Sequence, residues 1–270
     1  TWGSALFQSI YQPAPSLLWA LPMMPEWYVV VAALAVISAL GLEWQPLLAA
    51  VPFLVAAGVL PVLHAVACAF RVRFSEKLYS PRERLKMRLL TAAMHMFQPL
   101  ARLVGRMKLG LTPWRQCVVS GIAMPWPFPR SFTVWSEEWR SPIDWLENLE
   151  LGLKGLHGVV SRGGDYDRWD LEMRGGLLGS ARLLMAVEEH GGGKQLVRFR
   201  AWPRCAAAGY IFAIVFAALA AGAAYAQAWV AFGVLNFIAL VTVMRMFVEC
   251  GSAMAGIVRV LNPTGEKRKH

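Results

Sequence analysis

The chain is poor in charge, and its first quarter has no positive charge at all. Of 270 residues only 16% are Asp, Glu, Lys or Arg, and residues 1–70 contain no Lys or Arg, only Glu26 and Glu43. Soluble domains carry about a quarter of their residues charged, so this composition excludes an ordinary soluble enzyme. Cysteine is scarce: Cys68, Cys117, Cys205 and Cys250 form no CxxC pair, which excludes a disulfide framework and points to free thiols. His64, His95, His157, His190 and His270 have no ligand spacing, so no zinc site is expected. No signal-peptide pattern opens the sequence, and a first residue Thr1 in place of Met suggests a fragment with something missing upstream. Gly 23 and Pro 16, without a short repeat, exclude collagen, and 57% hydrophobic residues exclude disorder.

What is present is long apolar sequence and a concentrated basic block. The mean hydropathy is +0.44. Residues 71–115 hold eleven basic residues against Glu76 and Glu83, which gives +9 of the net +10. Residues 116–204 balance to zero, and 205–270 carry +3. A bilayer-spanning helix needs about 20 apolar residues. Trp27–Trp44, Gln45–Phe70 and Cys205–Met244 supply them, the last as two spans near 206–225 and 228–248. Pro52 and Pro61 interrupt the second stretch, and neighbouring helices can serve the carbonyls they free. The pattern predicts a membrane α-helical protein with four transmembrane helices in two hairpins and an α+β insertion containing a small antiparallel sheet.

Both hairpin turns, Gly41–Pro46 and Tyr225–Trp229, lack Lys and Arg, whereas the flanking segments hold all the basic residues. By the positive-inside rule both ends and the 71–204 insertion are cytoplasmic. Trp27, Tyr28, Trp44, Tyr225 and Trp229 fall where an interfacial aromatic belt would lie. The organisation expected is an interfacial segment at 1–25, hairpin one at 26–70, a basic amphipathic helix at 71–109, the insertion at 110–204, hairpin two at 205–249 and a basic tail at 250–270.

Ser80, Pro81 and Glu83 read as N-cap, N1 and N3 of a helix. Leu85, Leu89, Ala93, Met96, Leu100, Leu103 and Met107 then recur at helical steps, with Arg84, Arg88, His95, Arg102 and Arg106 on other faces and a break or kink at Pro99. Such a helix directly after a span is expected on anionic headgroups, through Arg84, Arg88, Arg102 and Arg106. Packing on the soluble domain is the plainer account of the same pattern, and nucleic-acid binding is disfavoured beside four spans. Residues 110–135, rich in Pro and Trp, read as an extended, irregular linker. Ser141-Pro142 with Asp144 starts a helix to about His157. Strands alternate at 169–174, 181–187 and 197–201, with Gly175-Gly176 and Gly191–Gly193 as turns of an antiparallel meander.

No catalytic constellation emerges. Asp165-Tyr166-Asp167 mimics the acidic pair that holds a cation on a diphosphate, but a turn before a strand explains it. His190-Gly-Gly-Gly-Lys194 lacks P-loop spacing and reads as a turn. His64, inside a span, reads as a hydrogen-bonded packing residue. Arg245 and Glu249 stand at i, i+4 as a mutual pair near the end of the last span.

The opening run Thr1-Trp2-Gly3-Ser4-Ala5-Leu6-Phe7-Gln8 resembles the end of the catalytic domain of a processive, cellulose-synthase-like family 2 glycosyltransferase. That family closes its catalytic domain on Arg-Trp, with Gln often six residues after the Trp. Trp2 and Gln8 keep the spacing, while Thr1 stands in place of the Arg. Tyr11–Ser16, Met24–Tyr28, His95–Arg102 and Gly110–Arg115 are similar to the membrane half of bacterial family 2 glycosyltransferases. The resemblance implies acceptor-site roles for Trp2 and Gln8 and a location in the bacterial inner membrane. It also implies that the nucleotide-binding GT-A domain lies upstream of Thr1. That missing domain would hold the nucleotide sugar and a divalent metal, with no cofactor in this chain. A carboxylate there would deprotonate the hydroxyl of a glycan or lipid-linked acceptor while the metal neutralises the departing diphosphate. The alternative is a non-enzymatic inner-membrane assembly or lipid-binding module.

Overall fold

Apolar sequence of helical length builds most of the structure, and alternating sequence builds one sheet. The computed structural model describes residues 21–72, 80–109, 127–156, 158–164 and 166–261, in two units, 1–109 and 110–270. The sequence motifs at Trp2–Gln8 and Gly110–Arg115, and the 262–270 part of the tail, lie outside the described residues.

The first unit contains α1 (Trp27–Leu40), a 3-10 turn (Gln45–Ala50) that leads into α2 (Val51–Arg71), and α3 (Pro81–Lys108). Gln45–Arg71 is 27 residues long and apolar enough to cross a membrane. α1 is equally apolar but only 14 residues long, about 21 Å against a hydrocarbon core of about 30 Å. The chain turns at Gly41, where a Cβ would come within 2.7 Å of Leu48 Cδ2, so the following segment packs directly on the end of α1. Two prolines lie inside helices here, Pro61 in α2 and Pro99 in α3. Proline has no N–H for the carbonyl four residues earlier. Trp27 replaces the donor lost at Pro61: its indole Nε1 donates to Ala57 O at 2.8 Å. Tyr28 donates its hydroxyl to Met96 O at 2.6 Å, one residue beyond the carbonyl that Pro99 cannot serve. Of the break or kink expected at Pro99, a break does not occur, and α3 is helical through it.

The second unit contains a five-stranded antiparallel sheet in the order β1-β5-β4-β3-β2. The strands are β1 (Arg130–Ser136), β2 (Val159–Arg162), β3 (Leu171–Arg174), β4 (Gly179–Glu189) and β5 (Gln195–Cys205). β3 to β5 form the meander that alternation predicts, and β2, which it does not predict, adds a further strand at the β3 edge. β1 returns to pair with β5, Phe132 opposite Phe199 and Val134 opposite Val197. The linker expectation for 110–135 is therefore corrected over 130–135, where Phe132 and Val134 pack on the core and Thr133 faces away. Helix α4 (Pro142–Gly155) begins on the expected cap: Ser141 Oγ accepts from Asp144 N, and Asp144 accepts from Ser141 N. Its carboxylate Glu150 is held below the usual range by hydrogen bonds from Lys154 and Arg162.

Two helices follow. α5 (Ala207–Tyr225) has 19 residues, about 28 Å, and suits one crossing. α6 (Trp229–Leu261) has 33 residues, about 50 Å, and exceeds one. The surplus is the finding. Residues 250–261, expected as part of a basic tail, continue the helix under the sheet. Ala253, Met254, Ile257 and Leu261 join Leu171, Met173, Leu183, Val197 and Phe199 in one core, with Leu149 and Leu153 from α4. Gly152 lets α4 approach closely, since a Cβ there would meet Val260 Cγ1 at 2.9 Å. The chain thus has three helices long and apolar enough to cross a membrane among its described residues, where the sequence predicts four spans.

Candidate functional site

Two places in the structure carry the charged residues that the sequence singles out. The first is α3. Its N-terminus is a full capping box: Ser80 N donates to Glu83 Oε2 at 2.7 Å, and Glu83 N donates to Ser80 Oγ at 3.3 Å. The donors from Ser80 hold the Glu83 carboxyl below the usual carboxylate range, led by its backbone N–H.

The faces of α3 differ from the simple amphipathic picture. Arg88 is half-buried with its guanidinium 5.0 Å from the Phe70 ring centroid. Arg106 donates to Glu26 Oε1 at 2.8 Å. Arg84 is half-buried as well, whereas Arg102 is exposed. Pro99 and Leu103 are buried beside these arginines. The outward face carries Leu89, Leu90, Met94, Phe97, Leu100 and Val104, with Phe97 66% exposed. Of the predicted headgroup quartet, then, Arg88 stacks on Phe70 and Arg106 pairs with Glu26 inside their own unit, and the helix turns apolar residues outward. Exposed apolar area of this extent marks a contact surface.

Tyr28, His64 and His95 line a small cavity with Pro22, Pro61, Ala65 and Pro99. His64 Nε2 lies 3.3 Å from Cys68 Sγ, one helical turn on. The expectation of a hydrogen-bonded packing histidine agrees with this contact.

The second place is the joint between α6 and the sheet. Glu249 is only 4% exposed. One carboxylate oxygen accepts from Arg245 Nε at 2.9 Å, the i, i+4 pair read from the sequence. The other accepts from two backbone donors of the β3–β4 turn, Leu178 N at 2.5 Å and Gly179 N at 2.9 Å. This turn fits only because it is glycine-rich. A Cβ on Gly175 would fall 1.8 Å from Glu249 O, and one on Gly176 would fall 2.2 Å from the Glu249 carboxyl carbon. Ala206 N donates to Leu178 O at 2.8 Å, so the same turn also holds the residue that starts α5. Cys205 and Cys250 meet beside it with sulfurs 3.4 Å apart. Sequence alone gives the Arg245–Glu249 pair and the Gly175-Gly176 turn but not their meeting, because backbone donors have no side-chain signature.

The remaining motifs are accounted for or fall outside. Gly191, Gly192 and Gly193 have φ of +76°, +59° and +80°, which only glycine adopts freely, and His190-Lys194 is a hairpin turn. Asp165 is outside the described residues, while Asp167 accepts from Gly164 N at 2.8 Å as a turn acid does. Among the described residues no three His, Cys, Asp or Glu converge as a metal site. No family model, curated protein or solved structure matches the chain.

Proposed function

We propose that this chain is the membrane-embedded C-terminal part of a family 2 glycosyltransferase. It would work at the cytoplasmic face of the bacterial inner membrane, where sugar passes from a nucleotide sugar to a glycan or lipid-linked acceptor. The observation that carries this reading is the Trp2–Gln8 spacing followed at once by apolar helices. Three helices of membrane-crossing length and an outward apolar face on α3 support the membrane part. α1 completes the first hairpin as a fourth, shorter insertion, and the α3 apolar face lies in the bilayer interface with Arg102 at the headgroups. Trp2 and Gln8 contribute to the acceptor site. The nucleotide sugar and its metal belong to an upstream GT-A domain, so the role of this chain is to anchor that domain and shape the acceptor path.

Trp2→Ala in the full-length protein tests the assignment. Transfer from a nucleotide sugar is expected to fall at least tenfold while membrane insertion is unchanged. Unaltered turnover removes Trp2 from the acceptor site. An upstream reading frame without a GT-A domain sinks the enzyme reading and leaves a non-enzymatic assembly or lipid-binding module, whose platform would be the sheet fixed to α6.

A further inference from the structure

The sheet has one face covered by α4 and α6 and one face open, and the two ends of the open face differ in charge. Register places Val159, Arg174, Ser180 and Arg204 side by side across four strands. Partners in register point to the same face, here the open one, because the neighbours Met173 and Ala181 are in the core. Arg174 and Arg204 thus flank Ser180, which is itself buried and donates its hydroxyl to Arg204 O at 3.2 Å, with about 10 Å between the two arginine Cα atoms, two strand spacings. This row is the last before the spans: Arg204 is followed by Cys205, Ala206 and the start of α5 at Ala207. Arg245, four residues before the Glu249 joint, is 38% exposed at the same end. Tyr210, 53% exposed on the first turn of α5, adds an aromatic of the kind that sits at headgroup depth.

We infer that this row is a binding site for the phosphate of an anionic phospholipid. Arg174 is exposed and, among the described residues, makes no ion pair. Arg204 touches Glu172 at 3.3 Å, but Arg182 holds the same carboxylate at 2.8 Å, so Arg204 can leave without stranding Glu172. The Arg204 side chain is half exposed, so a phosphate can reach it while Arg182 keeps the largely buried Glu172 paired. The occupant is a lipid and not a free phosphate because of position. The row adjoins an uncharged 19-residue helix, which puts both guanidinium groups where a bilayer presents its phosphates. The far end of the same hairpin has the exposed aromatics Tyr225 and Trp229 but no Lys or Arg. The positive charge therefore marks one membrane surface. This inference rests on α5 and α6 being spans and is independent of the glycosyltransferase reading.

The full chain reconstituted in nanodiscs of phosphatidylglycerol and phosphatidylcholine, then extracted in detergent, tests it by counting co-purified lipids with mass spectrometry. The unmodified protein should retain phosphatidylglycerol in preference to phosphatidylcholine. The preference should fall about fivefold for each of Arg174→Gln and Arg204→Gln, as a basic residue near an anionic surface predicts. Arg198→Gln, on the same face but paired with Glu188 away from the spans, should leave it unchanged. A double Arg174→Gln/Arg204→Gln variant that folds and keeps the preference overturns the site. Displacement of the lipid by inorganic phosphate at constant ionic strength also overturns it, in favour of a free-phosphate site. Release of the chain from membranes by alkaline carbonate would instead refute the spans themselves, and the site with them.

Discussion

Glu249 is the residue on which the second unit turns. A carboxylate this buried is stable only when its oxygens are matched, and here Arg245, Leu178 N and Gly179 N match them. Removing the carboxylate leaves a guanidinium and two turn N–H groups without their acceptor. Glu249→Ala is therefore expected to lower stability by about 3 kcal/mol, and Glu249→Gln by less because its carbonyl still accepts from the turn. Thermal unfolding in detergent measures the order, and an unchanged midpoint for Glu249→Ala would contradict the joint. The sequence showed half of this residue's environment. Its i, i+4 partner is visible in spacing. The turn that seats on it is visible only as Gly175, Gly176 and Gly179, whose meaning depends on a helix seventy residues further along. Trp27 is a similar case: it reads as a belt residue, and the structure finds its indole replacing the donor that Pro61 lacks.

Among the elements, helices were the most legible and edge strands the least. The cap signals at Ser80-Pro81-Glu83 and Ser141-Pro142-Asp144 set both starts correctly because capping is local chemistry. β1 was missed because proline and tryptophan dominate its approach and because its partner β5 lies more than sixty residues away. β2 has four residues, too few for alternation to register. α3 shows how a correct element can have its faces misjudged. The helical steps of its apolar residues are real, but they span two faces: Leu103 is buried while Leu89, Leu100 and Met107 are exposed. Periodicity finds an apolar stripe but not which part of it another helix will cover. If the outward part lies in lipid, Phe97→Cys in reconstituted vesicles should resist a membrane-impermeant maleimide, and Arg102→Cys should react at least tenfold faster. Equal labelling at both positions would leave α3 in water.

At the scale of the whole molecule, the described residues hold three helices long enough to cross a membrane and one small sheet, which account for the opening contrast between apolar length and concentrated charge. The sheet has too few strands and too little helix of its own to close a core. It borrows the last three turns of α6, with Ala253, Met254, Ile257 and Leu261 beneath it. A chain ending after Val248 should keep α5 in the membrane but lose the strand signal in circular dichroism, while the complete chain shows both. A truncated protein with an intact sheet would show that α4 suffices as cover. The length of α6 past one bilayer crossing was countable from sequence only once its end was known. The charged pair within it, Arg245 and Glu249, looks like a boundary and is a joint.

That shared helix also sets an order of assembly. A ribosome delivers β1 to β5 before either α5 or α6 exists, so the finished strands have only α4 to settle on. Their apolar side must wait, covered only by α4, until α6 has emerged past Ile257. Completion of the core thereby waits on the last helix, and a chain that stops short of Ile257 leaves its strands half covered.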